Sequence, residues 1–225
     1  MHTHESHSHT APPTRGRTIP WARFYDAAVW LLTMGKGLDI RKTTVELAQI
    51  KPGESVLDVG CGTGDLAIAA KALAGPTGEV YGTDADPEMI DLAQRKAAQA
   101  GVEVTFRVDL IEGMTFPDER FDVVLSSFMM HHLPGDLKRA GLAEIYRVLK
   151  SGGRLLIVDM ESSSGGSLGQ RVSELMIRAH GGQAMMQDNV TKLIPLLEAA
   201  GFTGVETDRI NRQFAYVAGR KAPGS

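Results

Sequence analysis

The stretch Val56-Leu57-Asp58-Val59-Gly60-Cys61-Gly62-Thr63-Gly64-Asp65 decides the fold, and it runs unbroken into Leu66-Ala67-Ile68-Ala69-Ala70-Lys71. An apolar, β-favouring run ends in three glycines at alternate positions and passes into a helix-forming segment. That order predicts a buried strand, a tight loop without side-chain bulk, and the first turn of a helix. Glycine admits positive φ and lets another molecule approach the backbone closely. A helix start just behind the loop adds free N–H groups and a positive dipole end. The end of the strand thereby becomes a binding surface. The spacing D-x-G-x-G-x-G differs from the G-x-G-x-x-G of dinucleotide sites, and no Gly-Lys-Ser/Thr follows to cradle a triphosphate. The acid two residues before the first glycine repels phosphate and suits a ligand that carries an ammonium group.

Outward from this loop, strand-like and helix-like segments alternate. Strands are expected at about 55–59, 79–84, 103–108, 121–126 and 154–159. Helices are expected at about 39–49, 64–74, from Asp86-Pro87 to Gly101, and 136–150, the third opened by a capping acid with proline at its first position. Such alternation implies an α/β fold, a mainly parallel, doubly wound sheet covered on both faces. The C-terminal end departs from it. After a helix over about 188–200, strands at 205–210 and 213–219 have only Asn211-Arg212 between them. Two residues cannot make a parallel crossover, so this pair must be an antiparallel hairpin.

Three segments lie outside the alternating core. Residues 1–18 are polar, with His2, His4, His7 and His9, and are set aside as a His-rich tail, either without function or a weak metal holder. From Pro20, Trp21, Phe24, Tyr25, Ala28, Val29 and Leu32 recur at helical spacing. Residues 162–190 form an insertion after the fifth strand, on the ligand side of the sheet, with a Ser/Gly-rich start and a helix at about 172–180. Residues 19–225 are read as a single domain.

With 225 residues, 43% of them hydrophobic and 23% charged, the chain is long enough to bury a good core. A formal charge of −3 provides no general attraction to nucleic acid. No metal site is expected in the core. The one cysteine, Cys61, cannot form an intrachain disulfide, which fits a reducing cytoplasm. Its place in the loop suits a small residue rather than a nucleophile. No apolar run approaches the roughly 18 residues of a transmembrane helix, and the N-terminus lacks the apolar core of a signal peptide.

Ligands in doubly wound sheets bind beyond the carboxyl ends of the strands, and three acids stand there. Asp58 lies near the end of the first strand, Asp84 closes the second, and Asp109 follows the third. Asp84 comes about 20 residues after Gly64, where an acid can accept from both hydroxyls of a ribose. These residues resemble the class I S-adenosylmethionine-dependent methyltransferases over about residues 40–160. The resemblance rests on D-x-G-x-G-x-G, the acid at 84, Val108-Asp109-Leu110, and Phe121-Asp122-Val123-Val124 followed by His131-His132-Leu133. It implies a Rossmann-like seven-stranded sheet whose last strand is antiparallel, and S-adenosylmethionine as cofactor. It also implies roles. Gly60, Cys61, Gly62 and Gly64 would pass close to the methionine part, and Asp58 would help hold its amino group. Asp84 would bind the ribose, Asp109 and Leu110 would flank the adenine with Ala85 and Met89 nearby, and Ser126 and Ser127 would contact the methionine end. Within the class, Phe24-Tyr25-Asp26, the loop and the Pro117–Phe121 spacing look most like the ubiquinone/menaquinone-biosynthesis C-methyltransferases and their small-molecule relatives.

Methyl transfer from a sulfonium needs the nucleophile, methyl carbon and sulfur held in line. An acceptor that must lose a proton gains from a base. His131 is one candidate base, and the alternative is that it packs or fixes the loop; Tyr25 is a candidate cover for the cofactor. Glu161 and His180 rank lower. Met129, Met130, Met160, Met176, Met185 and Met186 line either a greasy acceptor pocket or the core. The expected function is methylation of a small, lipophilic, phenol- or quinol-like acceptor, with peripheral membrane contact open. The alternatives are phospholipid or amine N-methylation, for which Arg23 is the only cation in Pro20–Leu32, and a non-catalytic protein that binds the cofactor.

Overall fold

The structure, a computed structural model, describes residues 37–161 and 190–224. The expected tail, the Pro20–Leu32 helix with Tyr25, and the 162–190 insertion except Val190 lie outside the described residues, as do His180, Met176, Met185 and Met186. The described chain runs α1 (Gly37–Leu47), β1 (Ser55–Val59), α2 (Asp65–Ala74), β2 (Glu79–Asp84), α3 (Pro87–Ala100), β3 (Thr105–Val108), β4 (Phe121–Ser127), α4 (Gly135–Val148) and β5 (Leu149–Met160). After residue 189 come α5 (Ile194–Ala199), β6 (Thr203–Arg209) and β7 (Phe214–Arg220). The strands form one seven-stranded sheet in the order β3-β2-β1-β4-β5-β7-β6. The first five run parallel, and β7 pairs antiparallel with both β5 and β6. The hairpin is therefore present, and its second strand is the one reversed against the rest.

Successive side chains on a strand face opposite sides of a sheet, and both sides are buried. Val56, Val123, Leu125, Leu156 and Val158 belong to one apolar cluster with Ile40 and Val45 of α1, Leu66, Ala67 and Ala70 of α2, and Ile90 and Ala93 of α3. Their neighbours Leu57, Val59, Val124, Leu155 and Ile157 belong to the other, with Leu142 and Ile145 of α4 and Leu197 of α5. Continuous apolar runs are what a strand covered on both faces requires.

Local chemistry sets most boundaries. Asp86 caps α3, its carboxylate accepting from the Glu88 N–H at 2.8 Å; Pro87 follows, and Gly101 ends the helix in the left-handed region. Most boundaries fall within two residues of expectation, and two larger differences have a clear cause. α4 stops at Val148 and β5 begins at Leu149, because Leu149 already pairs with Phe121 before the register shifts. The helix expected over 188–200 splits into a 3₁₀ turn, Val190–Leu193, and α5, which has Pro195 in its first turn. Proline has no N–H to continue the earlier helical ladder.

Arg154 ties α1 to the sheet at the amino ends of the strands. Its Nε donates to the Ala48 carbonyl at 2.6 Å and its Nη2 to the Gln49 carbonyl at 2.6 Å. The Glu54 carboxylate takes Nη1 and Nη2 at 2.9 and 2.7 Å. Arg154→Ala strands those acceptors and is expected to lower stability by about 2–4 kcal/mol in urea unfolding. A loss below about 0.5 kcal/mol would mean that α1 is held by its apolar contacts alone.

Candidate functional site

The sheet winds outward from β1 in one direction and from β4 in the other. A crevice opens between such strands at their carboxyl ends. The glycine loop fills one side of it. Gly60, Gly62 and Gly64 lie at φ +71°, +51° and +83°, a region that costs residues with a Cβ. The Gly60 and Cys61 N–H groups both donate to the Thr83 carbonyl, at 2.8 and 2.9 Å. A Cβ on Gly60 would stand 2.3 Å from Met129 Cγ, and one on Gly64 2.7 Å from the Phe106 ring. Two of the three glycines are thus demanded by the protein's own packing. Cys61 turns its side chain into the core, where burial pushes the thiol well up, so it is no nucleophile. Lys96 of α3 braces the loop from outside, donating to Thr63 Oγ1 at 2.8 Å and Asp65 Oδ1 at 2.9 Å, and Arg41 of α1 meets Asp65 at 2.9 Å.

The three acids prove unequal. Asp58 is 0% exposed, and neither carboxylate oxygen has a hydrogen-bond partner. Burial, and then the charge of Asp84, push its pKa from an ordinary 3.8 up to about 7; the Ala67 amide and Arg41 offset only part of this. Asp84 is oriented by the Gly62 N–H on Oδ2 and the Asp86 N–H on Oδ1, both at 2.9 Å. Each oxygen keeps a lone pair. Burial also raises its pKa, against those two amides. Asp109 is tied up internally: Oδ2 accepts from the Thr115 N–H and hydroxyl at 3.0 and 2.9 Å, and Oδ1 from the Leu110 N–H at 3.0 Å. One acceptor position on Oδ1 remains. Ala85 and Leu110 are half-buried and Met89 is buried beside them at the start of α3.

The end of β4 forms the other wall. Ser126 is fully buried and its hydroxyl has no partner, while Ser127 is half-buried. Phe128 then adopts φ +55°, a strained conformation for an aromatic residue, with its ring against Phe214 at 5.1 Å. The bend carries Met129 over Gly60 and sinks Met130 into the core at 1% exposure, so Met130 is a packing residue. It also brings His131 to Asp159 at the end of β5, with Nδ1 2.6 Å from Oδ1. The His131 backbone N–H donates to Oδ2 at 3.1 Å and the Met160 N–H to Oδ1 at 2.8 Å. Both side chains are under a tenth exposed. Burial alone would raise Asp159, but the His131 ring and these amides hold its carboxyl below the usual range.

The parallel register thus gathers Asp58, Asp84, Asp109, Ser126, Ser127 and His131 at one edge. Tyr25 lies outside the described residues. Sequence reasoning missed Asp159 and Phe128. An acid closing β5 beside the end of β4 was the available signal for the first, and nothing in the sequence marks the φ of the second. Glu161 is engaged by Arg209 at 3.1 Å. Among the described residues no group of three or more His, Cys, Asp or Glu is placed to hold a metal, and no helix is long and apolar enough to cross a membrane.

Residues 56–153 match the family described as methyltransferase domain. The chain is 39% identical over 145 residues to a demethylmenaquinone methyltransferase of Thermus thermophilus, covering 64% of this chain and 64% of the relative. It is 36% identical over 135 residues to a ubiquinone/menaquinone biosynthesis C-methyltransferase of Burkholderia mallei, covering 60% of this chain and 55% of the relative. The chain thus spans less than two thirds of the length of the curated relatives it matches. A solved S-adenosylmethionine-dependent methyltransferase from Aquifex aeolicus superposes with a TM-score of 0.72 at 21% identity, covering 91% of this chain and 99% of that one. With this fold and a methyltransferase-domain match over residues 56–153, the chain is similar to the class I S-adenosylmethionine-dependent methyltransferases. Within that class its similarity runs to the quinone-biosynthesis C-methyltransferases.

The class cofactor fits the site found here. It carries an ammonium group, and the crevice holds a buried carboxylate with no partner. In the ligand-free protein that carboxylate is a cost that grows as pH rises from about 4 through about 7, because only the neutral form tolerates burial unpaired. Asp58→Asn is therefore expected to stabilise the ligand-free protein by about 1–3 kcal/mol at about pH 8, with no gain at about pH 4. Denaturant unfolding at the two pH values checks this; a destabilised variant at the higher pH would mean that Asp58 has a partner in the folded chain.

Proposed function

We propose that this chain transfers the methyl group of S-adenosylmethionine to a small, hydroxylated ring acceptor of the quinol or phenol kind. The observation that carries the cofactor half is Asp58, whose unpartnered carboxylate lies under the glycine loop and is suited to an ammonium ion. S-adenosylmethionine, when bound, supplies a methyl group made electrophilic by its sulfonium sulfur. Asp58 holds the amino group of its methionine part along Gly60, Gly62 and Gly64. Asp84, already oriented by two amides, accepts from the ribose hydroxyls with its remaining lone pairs. Ala85, Met89 and Leu110 pack about the adenine, and the free position on Asp109 takes its exocyclic amine. The Ser126 hydroxyl, buried and unpartnered, and Ser127 serve the methionine end.

The acceptor half rests on chemistry at the end of β4 and on the relatives, one of them a demethylmenaquinone methyltransferase. A phenol or quinol becomes a strong nucleophile only when its hydroxyl proton is removed, at oxygen or at the conjugated ring carbon. His131, just past the end of β4, is the base this reading assigns to that proton.

The ammonium–carboxylate contact sets a pH signature. Free Asp58 titrates near 7, and a bound ammonium lowers that value, so binding below neutrality must expel a proton. Affinity for S-adenosylmethionine is expected to rise up to about fivefold between about pH 6 and pH 7 and to fall again above about pH 8, where the free α-amino group loses its charge. Calorimetry in buffers of different ionisation enthalpy reads both affinity and proton release; a flat profile without release would remove Asp58 from the ammonium site. For the acceptor, incubation with labelled cofactor and a panel of quinols, phenols and amines should label the hydroxylated rings first. Labelling of amines alone would overturn this acceptor class.

A further inference from the structure

We propose that Asp159 is a positioning residue that makes His131 the base for a hydroxyl acceptor; this rests on the methyl-transfer reading above. An ionised carboxylate only accepts hydrogen bonds. Asp159 Oδ1 lies 2.6 Å from His131 Nδ1 and Oδ2 takes the backbone N–H of the same residue, so Asp159 grips both the ring and the main chain of His131. With an acceptor facing it, Nδ1 must carry the proton. In the neutral ring, Nε2 is then left as a lone pair on the edge away from Asp159. The ring is fixed by the strained turn at Phe128 before it, by the Asp159 contacts, and by His132, whose ring centroid lies 4.1 Å away. A group that only packed the loop would not need a carboxylate brought through the sheet from β5.

The step is balanced by the two substrates alone. The acceptor O–H proton passes to Nε2. The oxygen, or the ring carbon conjugated to it, bonds to the methyl carbon as the carbon–sulfur bond breaks and its electron pair stays on sulfur. Where carbon is methylated, the ring C–H proton then passes to water as aromaticity is restored, and the phenolate oxygen takes back the proton held at Nε2. Asp159 stabilises the imidazolium formed and takes no proton itself. The site therefore favours acceptors whose hydroxyl is neutral at working pH, since one already ionised gains nothing from the pair.

Two measurements test this. Nitrogen-15 NMR of the wild-type protein should show His131 as the Nδ1–H tautomer when neutral, with or without S-adenosylhomocysteine; the Nε2–H tautomer would overturn the proposal whatever the activity. Rates for Asp159→Asn and wild type should then be compared over substituted phenols of rising acidity. The variant is expected to lose about 10- to 100-fold in kcat on weakly acidic phenols, with the KM for S-adenosylmethionine within about twofold. The defect should shrink toward none for phenols already ionised. An equal defect across the series would make Asp159 merely structural and overturn the proposal. Should Asp159→Asn not fold, the wild-type tautomer decides. Failure of the wild type to bind S-adenosylmethionine in calorimetry would instead sink the methyl-transfer reading, whatever the tautomer of His131.

Discussion

Everything in this molecule depends on β1 being paired in parallel with strands on both sides. All five of its residues are buried, and its partners β2 and β4 lead the chain outward in opposite directions. Parallel pairing requires a crossover after each strand, and the crossovers put helices on both faces and every carboxyl end on one edge. That edge receives the glycine loop, Asp84, the Phe128 bend and Asp159, which lie on four different strands or their ends. The crevice follows from topology before any side chain is considered.

The two ends of the sheet treat charge in opposite ways. At the amino ends, charges are satisfied by partners. Asp122 takes the Ser55 N–H and Lys150 Nζ, each at 2.8 Å. Arg120 spans Ser55, Tyr81 and Glu79, and Arg147 reaches Glu144, Asp118 and the carbonyls of Met114 and Phe116. At the carboxyl ends, Asp58 and Ser126 are buried without partners, and Phe128 holds a costly φ. Unsatisfied groups and backbone strain are kept where binding can repay them. The amino end is paired throughout this set, whereas the carboxyl end mixes paired groups such as His131–Asp159 with the unpartnered Asp58 and Ser126.

The glycine loop shows how a motif can be legible while its reasons are not. Read as sequence, three alternate glycines mean room for a ligand. In the folded chain, Gly60 makes way for Met129 and Gly64 for Phe106, so the loop is shaped by contacts with β3 and with the segment after β4. Asp84 and Asp109 look equivalent as acids after strands. They differ because the Thr115 hydroxyl and amide fold back onto Asp109, whereas Asp84 meets backbone amides and keeps acceptor capacity. The His131–Asp159 contact joins residues 28 apart, and no local pattern announces it.

The sequence by itself determined the alternation of strands and helices, the glycine loop, the capped start of α3 and the closing hairpin. Each of these is local, resting on apolar periodicity, turn chemistry or a connection too short for a crossover. Strand order, the burial of Asp58 without a partner, the Phe128 bend and the pairing of His131 with Asp159 were decided only by the tertiary structure. They arise from contacts between segments far apart in the chain, and whether a polar group is satisfied depends on everything that packs around it.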